Sequence, residues 1–336
     1  MTTLILALTA GCGGDSDSGV NADGKLSITV AAQSGSIPGM PILLAQEKGI
    51  FAKHGLDAEL IPGLRGGAAL LTAVTSGTAD VVAHAVTTVA KTAQTGKKIP
   101  LVAAQSVGAP YVLVVRKDYG SVPAATPGPD GWQETIKALK GASIAGSGAS
   151  TPADFILRGL FTDAGLSESD FTNINIKHGG PEVAALKSGQ VDAVFADIGT
   201  ALSLVSDGGG VAVIEFAKQG PKWLSEQAWS GQIASQTTLD AKPELAARFH
   251  AAMQETQDYI KDPANLGDLR KFAVETAKVP DHPELDSALT AFASMLRPTF
   301  TTAQLQTTLD FMKRTGQLKA DPAVNPADLA VPAVIG

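Results

Sequence analysis

One pattern occurs twice in this sequence. Residues 73–90 read AVTSGTADVVAHAVTTVA and residues 185–202 read ALKSGQVDAVFADIGTAL, with a Ser-Gly pair and then an Asp at the same offsets. The two aspartates, Asp80 and Asp192, are about 110 residues apart, which is too long for a solenoid repeat and matches a small domain. Ser-Gly is also a common way to end a helix, so coincidence is the alternative. The repeat favours a chain built of two lobes with the same architecture.

Strands and helices alternate from residue 25 to residue 216. Apolar runs predict strands over residues 26–31, 57–61, 81–83, 101–105, 111–116, 143–145, 174–176, 192–196 and 211–216. This alternation predicts an α/β fold with parallel sheets that are covered by helices on both faces. Beyond residue 216, periodic apolar residues predict helices over residues 243–260, 285–296 and 302–314. The Pro- and Ala-rich tail, 320–336, is expected to be extended on the surface.

Each copy of the repeat runs through a helix, a glycine, a strand and a loop at the C-terminal end of that strand. Ligands of open α/β sheets bind beyond those strand ends, and a cleft between two lobes is a common small-molecule site. The copies diverge after the shared Asp, where specificity is expected: His84, Ala85 and Thr87 in the first, Asp197 in the second. A lone His is more often structural than a ligand contact. Asp197 could accept hydrogen bonds from a ligand or form an ion pair.

Other loops offer polar groups at predicted strand ends. Their candidate ligand-binding residues are Gln33 and Ser34, then Arg65, Gly66 and Gly67, then Ser147, Ser150 and Thr151. Backbone N–H groups and hydroxyls at a helix N-terminus favour negative charge, and an Arg side chain pairs with carboxylates, sulfonates or phosphates. The alternatives are ordinary helix capping by the hydroxyls and a solvated Arg. Tyr111 and Trp229 are either stacking surfaces near the junction of the lobes or core residues.

Composition excludes several classes of function. The chain has 336 residues, 44% of them hydrophobic and 18% charged, which suits about two globular domains. A net charge of −7 without a basic cluster argues against a nucleic-acid partner. No H-E-x-x-H or G-x-S-x-G motif occurs, and segment 146–151 lacks the third Gly of a dinucleotide fingerprint. We therefore expect a protein that is not an enzyme and that holds neither cofactor nor metal.

The only cysteine, Cys12, follows a short apolar run, 4–8, and precedes a stretch rich in Gly, Ser and Asp, 13–19. This arrangement resembles the lipobox of bacterial lipoproteins, in which the cysteine is lipidated and becomes the mature N-terminus. Signal peptides begin with Lys or Arg, and none precedes Cys12, so we expect the true start to lie upstream of Met1. The alternative is a disordered N-terminus with an incidental free cysteine.

Residues 41–60, PILLAQEKGIFAKHGLDAEL, resemble a stretch of the nitrate, sulfonate and taurine solute-binding proteins of ABC transporters. That group is related to the NMT1/THI5-like thiamine-pyrimidine proteins. Weaker matches follow in the order typical of the family, at residues 76–80, 110–116, 140–141 and 188–193. The resemblance covers about residues 25 to 316.

The resemblance implies a type II periplasmic-binding-protein-like fold, in which two α/β lobes are joined by two crossing strands near residues 112–116 and 213–216. Lobe I is then formed by residues 25–112 and 213–336, and lobe II by residues 113–212. The signal, lipobox and tether occupy residues 1–24. Closure of the lobes around a ligand is also implied.

The function implied is that of an extracytoplasmic lipoprotein, a monomer anchored to the membrane by lipid on Cys12. It would bind a small anionic organic solute of the sulfonate, nitrate or carboxylate class and deliver it to the permease subunits of an ABC importer. Alternatives are a binder of a neutral heterocycle or pyrimidine, an enzyme of the thiamine-pyrimidine type and the sensor domain of a regulator. The enzyme type carries a cysteine-rich iron motif that one Cys cannot supply, and no helix-turn-helix precedes Lys25.

Overall fold

Ten strands form two sheets in the computed structural model, which describes residues 19–33, 35, 37–61, 64, 67–146, 152–176, 180–206 and 209–336. The strands are β1 (Leu26–Ala31), β2 (Leu56–Leu60), β3 (Val81–Ala85), β4 (Leu101–Val107), β5 (Tyr111–Arg116), β6 (Ser143–Ala145), β7 (Thr172–Ile174), β8 (Ala193–Asp197), β9 (Gly210–Glu215) and β10 (Ala228–Ala234).

Helices connect these strands and cover the sheets. They are α1 (Met40–Glu47), α2 (Ile50–Lys53), α3 (Gly67–Ser76), α4 (Val86–Gln94), α5 (Gln133–Lys137), α6 (Pro152–Asp163), α7 (Gly180–Ser188), α8 (Ile198–Ser206), α9 (Phe216–Gln219), α10 (Lys222–Ser225), α11 (Gln236–Ala241), α12 (Leu245–Lys261), α13 (Leu266–Glu275), α14 (Leu285–Met295) and α15 (Thr302–Arg314). Within the described part of the chain, no helix is long and apolar enough to cross a bilayer.

The two sheets have equivalent topologies: three parallel strands, then one antiparallel strand, then an edge strand. Sheet A runs β2-β1-β3-β10-β4 and sheet B runs β7-β6-β8-β5-β9. In sheet A, β1 is parallel to β2 and β3, and β10 is antiparallel to β3 and β4. In sheet B, β6 is parallel to β7 and β8, and β5 is antiparallel to β8 and β9. The two-lobe α/β fold is therefore confirmed, but the prediction of wholly parallel sheets is wrong, because each sheet contains one antiparallel strand.

The antiparallel strands mark the two places where the chain passes between the sheets. It leaves sheet A after β4 and enters sheet B at β5 through residues 108–110, and it returns from β9 to β10 through residues 216–227. The two connections touch. Gly108 has a φ of 83°, and a Cβ on it would lie 2.9 Å from the carbonyl oxygen of Ser225, so only glycine fits there. The lobe boundaries at residues 112 and 213 stay a prediction.

β10 was not predicted from the sequence. Its segment, AWSGQIA, has Gly231 at its centre, and glycine weakens a strand pattern. A Cβ on Gly231 would lie 2.5 Å from the carbonyl oxygen of Ala103, so this glycine allows the backbones of β10 and β4 to approach closely. The tail prediction is also wrong. Leu329 and Val334 are fully buried, and Ala330 forms a bridge to the edge strand β4 at Leu101.

The repeated aspartates serve the same purpose in both lobes. Asp80 Oδ2 accepts hydrogen bonds from the backbone N of Thr29 (2.8 Å) and its hydroxyl (3.2 Å), and pairs with Lys242 Nζ (2.8 Å). Asp192 Oδ2 accepts from the backbone N of Ser143 (2.9 Å) and its hydroxyl (2.7 Å), and Arg116 lies 3.4 Å from Oδ1. Asp80 thus ties β3 to β1, and Asp192 ties β8 to β6, in each case at the edge opposite the C-terminal ends of the parallel strands.

The lobes are also joined through α15, which packs on β10 and α4 of the first lobe. Arg314, at its C-terminal end, forms a bidentate ion pair with Asp163 at the end of α6 in the second lobe. The Trp223 indole donates to Asp163 Oδ2 (2.7 Å) and stacks on Phe311 with ring centroids 5.3 Å apart. Gly159 of α6 leaves room for this indole, since a Cβ there would lie 3.3 Å from it.

Replacing either repeated aspartate tests this account of the repeat. Asp80→Ala removes the acceptor of the Thr29 backbone N–H and the ion pair with Lys242, so we expect a loss of about 2 kcal/mol in the free energy of unfolding, measured by urea denaturation. Asp192→Ala should cost a similar amount. Asp57→Ala, an exposed carboxylate on the same edge of sheet A, should change stability by less than about 0.5 kcal/mol. Equal effects of Asp57→Ala and Asp80→Ala would contradict the strand-tying role.

Candidate functional site

The C-terminal edges of the two sheets lie next to each other. β4 ends at Val107 and β5 begins at Tyr111, and the three residues between them span at most about 10 Å. Tyr111 pairs with Asp197, the last residue of β8, and Ser230 of β10 pairs with Ala85, the last residue of β3. The loops that follow the parallel strands of both lobes therefore flank one region, which is where the sequence predicts the ligand.

His84 joins β3 to the start of α3. The backbone N–H of Ala85 donates to Nδ1 (2.9 Å), which makes Nε2 the protonated nitrogen, and Nε2 donates to the carbonyl oxygen of Gly67 (2.9 Å). A Cβ on Gly67 would lie 3.2 Å from Cε1 and Nε2 of the imidazole. The structure thus brings together two of the predicted ligand-binding residues. It gives the ring a structural contact while leaving it partly exposed.

Asp197 caps a helix. Its Oδ1 accepts from the backbone N–H of Thr200 (3.0 Å) and its Oδ2 from the hydroxyl of Thr200 (2.8 Å). These bonds satisfy a free donor in the first turn of α8, which begins at the next residue. Ala85 occupies the corresponding position before α4, without a side-chain cap. The helix that follows the repeated strand therefore has a side-chain cap in the second lobe and none in the first.

Several predicted site residues lie outside the described part of the chain: Ser34, Arg65, Gly66, Ser147, Ser150 and Thr151, together with Cys12. Among the described ones, Gln33 is exposed just beyond β1, and Thr87 is partly exposed in the first turn of α4. Their ligand-binding roles stay predictions. Two open grooves lie at the edges of the sheets opposite the predicted ligand region. One, of about 480 Å³, surrounds Arg116 in the second lobe, and the other, of about 650 Å³, surrounds Asp80 in the first.

Aromatic rings line the junction of the lobes. Tyr111 and Trp229 meet edge to face, with ring centroids 5.5 Å apart, and both stay partly exposed. Tyr111 also stacks on Phe195 at 4.5 Å, and Phe195 contacts Phe216 at 5.3 Å. The two Phe rings are fully buried. The sequence left open whether Tyr111 and Trp229 are core or surface, and the structure places them at the boundary between the two.

Burial raises the pKa of Tyr111 to about 12, and the charges of Asp197 and Glu182 add to the effect. The phenol is therefore protonated at neutral pH and remains a hydrogen-bond donor. Glu182, in the first turn of α7, is fully buried and was not predicted as a site residue. The sequence does place Glu182 after Gly180-Pro181 at a predicted helix start, where the helix dipole favours an acidic side chain. Among the described residues, no group of His, Cys, Asp or Glu is arranged to hold a metal ion.

The capping role of Asp197 predicts different effects on stability for two substitutions at this position. Asp197→Ala should lower the free energy of unfolding by about 1 kcal/mol, because the donors of Thr200 lose their acceptor. Asp197→Asn should stay within a few tenths of a kcal/mol of the parent, since Asn caps as well as Asp. Both values come from urea denaturation. An Asn variant as unstable as the Ala variant would show that the charge, and not the cap, is what matters.

Comparison with known proteins gives one family. The sequence profile described as "NMT1/THI5 like" matches residues 38–265. A search of curated proteins found no match.

Solved structures share the fold at low identity. A protein from Bordetella bronchiseptica RB50 is 22% identical, with a TM-score of 0.66 over 91% of this chain and 95% of that one. The periplasmic aliphatic sulphonate binding protein SsuA from Escherichia coli is 16% identical, with a TM-score of 0.66 over 89% and 95%. The periplasmic nitrate-binding protein NrtA from Synechocystis PCC 6803 is 16% identical, with a TM-score of 0.64 over 89% and 83%.

These likenesses confirm the periplasmic-binding-protein-like fold. The profile covers more than half of the chain, in the region where the sequence resemblance was drawn. The chain belongs to the NMT1/THI5-like family.

Proposed function

We propose that this protein is an extracytoplasmic substrate-binding lipoprotein of an ABC importer. It binds a small organic solute between its lobes and hands the solute to the permease subunits, without making or breaking covalent bonds. The observation that carries this proposal is the pair of equivalent sheets whose C-terminal edges meet at the crossing connections. The sulphonate- and nitrate-binding proteins that share the fold support it.

We propose an anionic solute of the sulfonate, nitrate or carboxylate class. α6 is a helix of 12 residues whose N-terminus lies at the C-terminal edge of sheet B, directly after the hydroxyl- and glycine-rich segment 146–151. Free N–H groups and the helix dipole make such an end favourable for negative charge. Arg65 follows β2 in the sequence and is the candidate partner from the first lobe. A neutral heterocycle is the second candidate, because Tyr111 and Trp229 present rings at the junction.

Solute binding tests the function directly. We expect the purified chain to bind one solute per molecule in isothermal titration calorimetry, and the solute to raise Tm by binding only the folded state. The screen covers sulfonates, nitrate, carboxylates and pyrimidines. Arg65→Ala should weaken binding of an anion about tenfold or more and leave that of a neutral solute within about twofold. Arg297→Ala is the matched control, because the guanidinium of Arg297 donates to the backbone carbonyls of Ser294 and Leu296.

One outcome would contradict the proposed function and another the role of Arg65. Turnover of any solute by the purified chain would show that it is an enzyme. Unchanged affinity of Arg65→Ala for an anionic solute would remove Arg65 from the site.

We also propose that Cys12 is lipidated and anchors the protein to the outer face of the cell membrane. The apolar run and the small residues before Cys12 support this proposal. In a bacterial host that expresses the chain with its natural leader, labelled palmitate should be incorporated and the protein should sediment with membranes. Cys12→Ser should abolish both. Label retained by the Cys12→Ser variant would exclude lipidation at this residue.

A further inference from the structure

We propose that one face of α8 is a latch that holds the two lobes together before a solute binds. The face is formed by Ile198, Leu202 and Ser206, which are four residues apart and therefore lie in one stripe along the helix. The inference rests on the proposed function, because the arrangement that the latch holds is the one that takes up solute. Closure itself is implied by the fold, whereas this contact sets how much of the solute-free protein is closed.

The opposite face of α8 belongs to the second lobe. Ala201 and Leu204 are buried there, in a core group that includes residues of β5 and β8. Asp197 caps the first turn of the helix through Thr200. Because α8 is fixed to sheet B in this way, any contact that its other face makes with the first lobe is a contact between the lobes.

The stripe of α8 rests on α14 of the first lobe. Ile198 and Leu202 are partly exposed and pack against the core group to which Leu285 and Leu289 of α14 belong. Ile198 also packs against the core of the second lobe. α14 is fixed to the first lobe, since it packs on α12 and β4. The lobes therefore share an apolar contact that is separate from the crossing connections and from α15.

A hydrogen bond lies at the end of this contact. His282 precedes α14, and its Nδ1 accepts from the backbone N–H of Glu284 (3.1 Å), which places the proton on Nε2. Nε2 donates to the hydroxyl of Ser206, 2.5 Å away. Arg270 of α13 holds this loop in place, because its guanidinium donates to the carbonyl oxygen of His282 (2.9 Å) and pairs with Asp281 (2.6 Å). Ser206 thus binds to a fixed part of the first lobe.

The latch lies beside the predicted ligand region. α8 begins directly after Asp197, the last residue of β8. α14 contacts the 3₁₀ turn Ile37–Gly39, which lies between β1 and α1. The contact therefore joins the segments that follow one parallel strand of each lobe. When it breaks, these segments can move apart, and a solute that touches both lobes binds less tightly.

The size of the contact suits a latch that opens. Two partly exposed apolar side chains and one hydrogen bond contribute little compared with the core of either lobe. They can still shift an equilibrium between open and closed lobes by about tenfold or more. The apparent affinity for a solute falls in proportion to the closed fraction. Removal of the latch is therefore expected to weaken binding without unfolding the chain.

Spin-label distances test the latch without a solute. Cys12 is the only cysteine, so a Cys12→Ser chain can be labelled at Ala184→Cys in α7 and Thr290→Cys in α14, which are exposed on the two sides of the contact. We expect Leu202→Asp to shift the distances to longer values, because a carboxylate is unfavourable against apolar groups. Val205→Asp is the matched control, since Val205 is exposed on the same helix, and it should leave the distances unchanged.

Binding gives a second readout in the full chain. The probes are nitrate, methanesulfonate and benzoate, one for each proposed class of anion, measured by calorimetry. For each probe that binds the parent, Leu202→Asp should weaken the affinity about fivefold or more, and Val205→Asp should keep it within about twofold.

Two milder variants keep the test decisive if Leu202→Asp lacks a cooperative thermal transition. Leu202→Ala removes most of the apolar contact, and Ser206→Ala removes the acceptor of His282. Both should give smaller shifts of the label distances in the same direction. Unchanged distances in both variants would overturn the latch.

The outcomes separate this inference from the proposed function. Parent-like distances in a folded Leu202→Asp chain, or an equal shift in Val205→Asp, would overturn the latch and leave the solute-binding function standing. Longer distances with unchanged affinity would show that the contact does not hold the binding state, which also overturns the latch. If no probe binds the parent, the distances alone decide the latch and the wider screen decides the function.

Discussion

Each sheet depends on a strand next to a crossing between the lobes. β5 lies between β8 and β9, and β10 lies between β3 and β4, each antiparallel to both neighbours. A strand inside a sheet has hydrogen-bond partners on both sides, so sheet B is continuous only after the first crossing and sheet A only after the second. Both strands also begin at the C-terminal edge of their sheet. The adjacency of the two edges, the contact of Tyr111 with Trp229 and the position of the candidate site all follow from this arrangement.

Much of the fold could be predicted from the sequence because hydrophobic runs, glycines and prolines act locally. The strands up to residue 216 lie within a few residues of their predicted bounds. β10 could not be predicted, because its central position depends on contacts with β3 and β4, which are far away in the sequence. A glycine in the middle of a segment argues against a strand when only the local sequence is considered. The reason for Gly231 is the carbonyl of Ala103, which lies too close for a Cβ.

The candidate site was less predictable than the fold. The repeat indicated His84 and Asp197 as site residues, and their described contacts are with Gly67 at a helix start and with Thr200 in a helix cap. A sequence pattern shows that a polar residue follows a strand. It cannot show whether the side chain is already hydrogen-bonded to nearby groups of the protein instead of facing a ligand. The same applies to Asp80 and Asp192, whose repetition indicated equivalent lobes and whose role is to hold neighbouring strands together.

The contact of α15 with the second lobe has a mechanical consequence. The helix is fixed to β10 by Thr308 and to α6 by Arg314, while Trp223 fills the space between Phe311 and Gly159. A two-strand connection alone would let the lobes pivot with little resistance. Here a third element runs beside it, so a pivot must either part Arg314 from Asp163 or bend the last turn of α15. A side-chain pair outside the strands thus adds resistance to any such pivot, and replacing Arg314 would remove that resistance while leaving both connections unchanged.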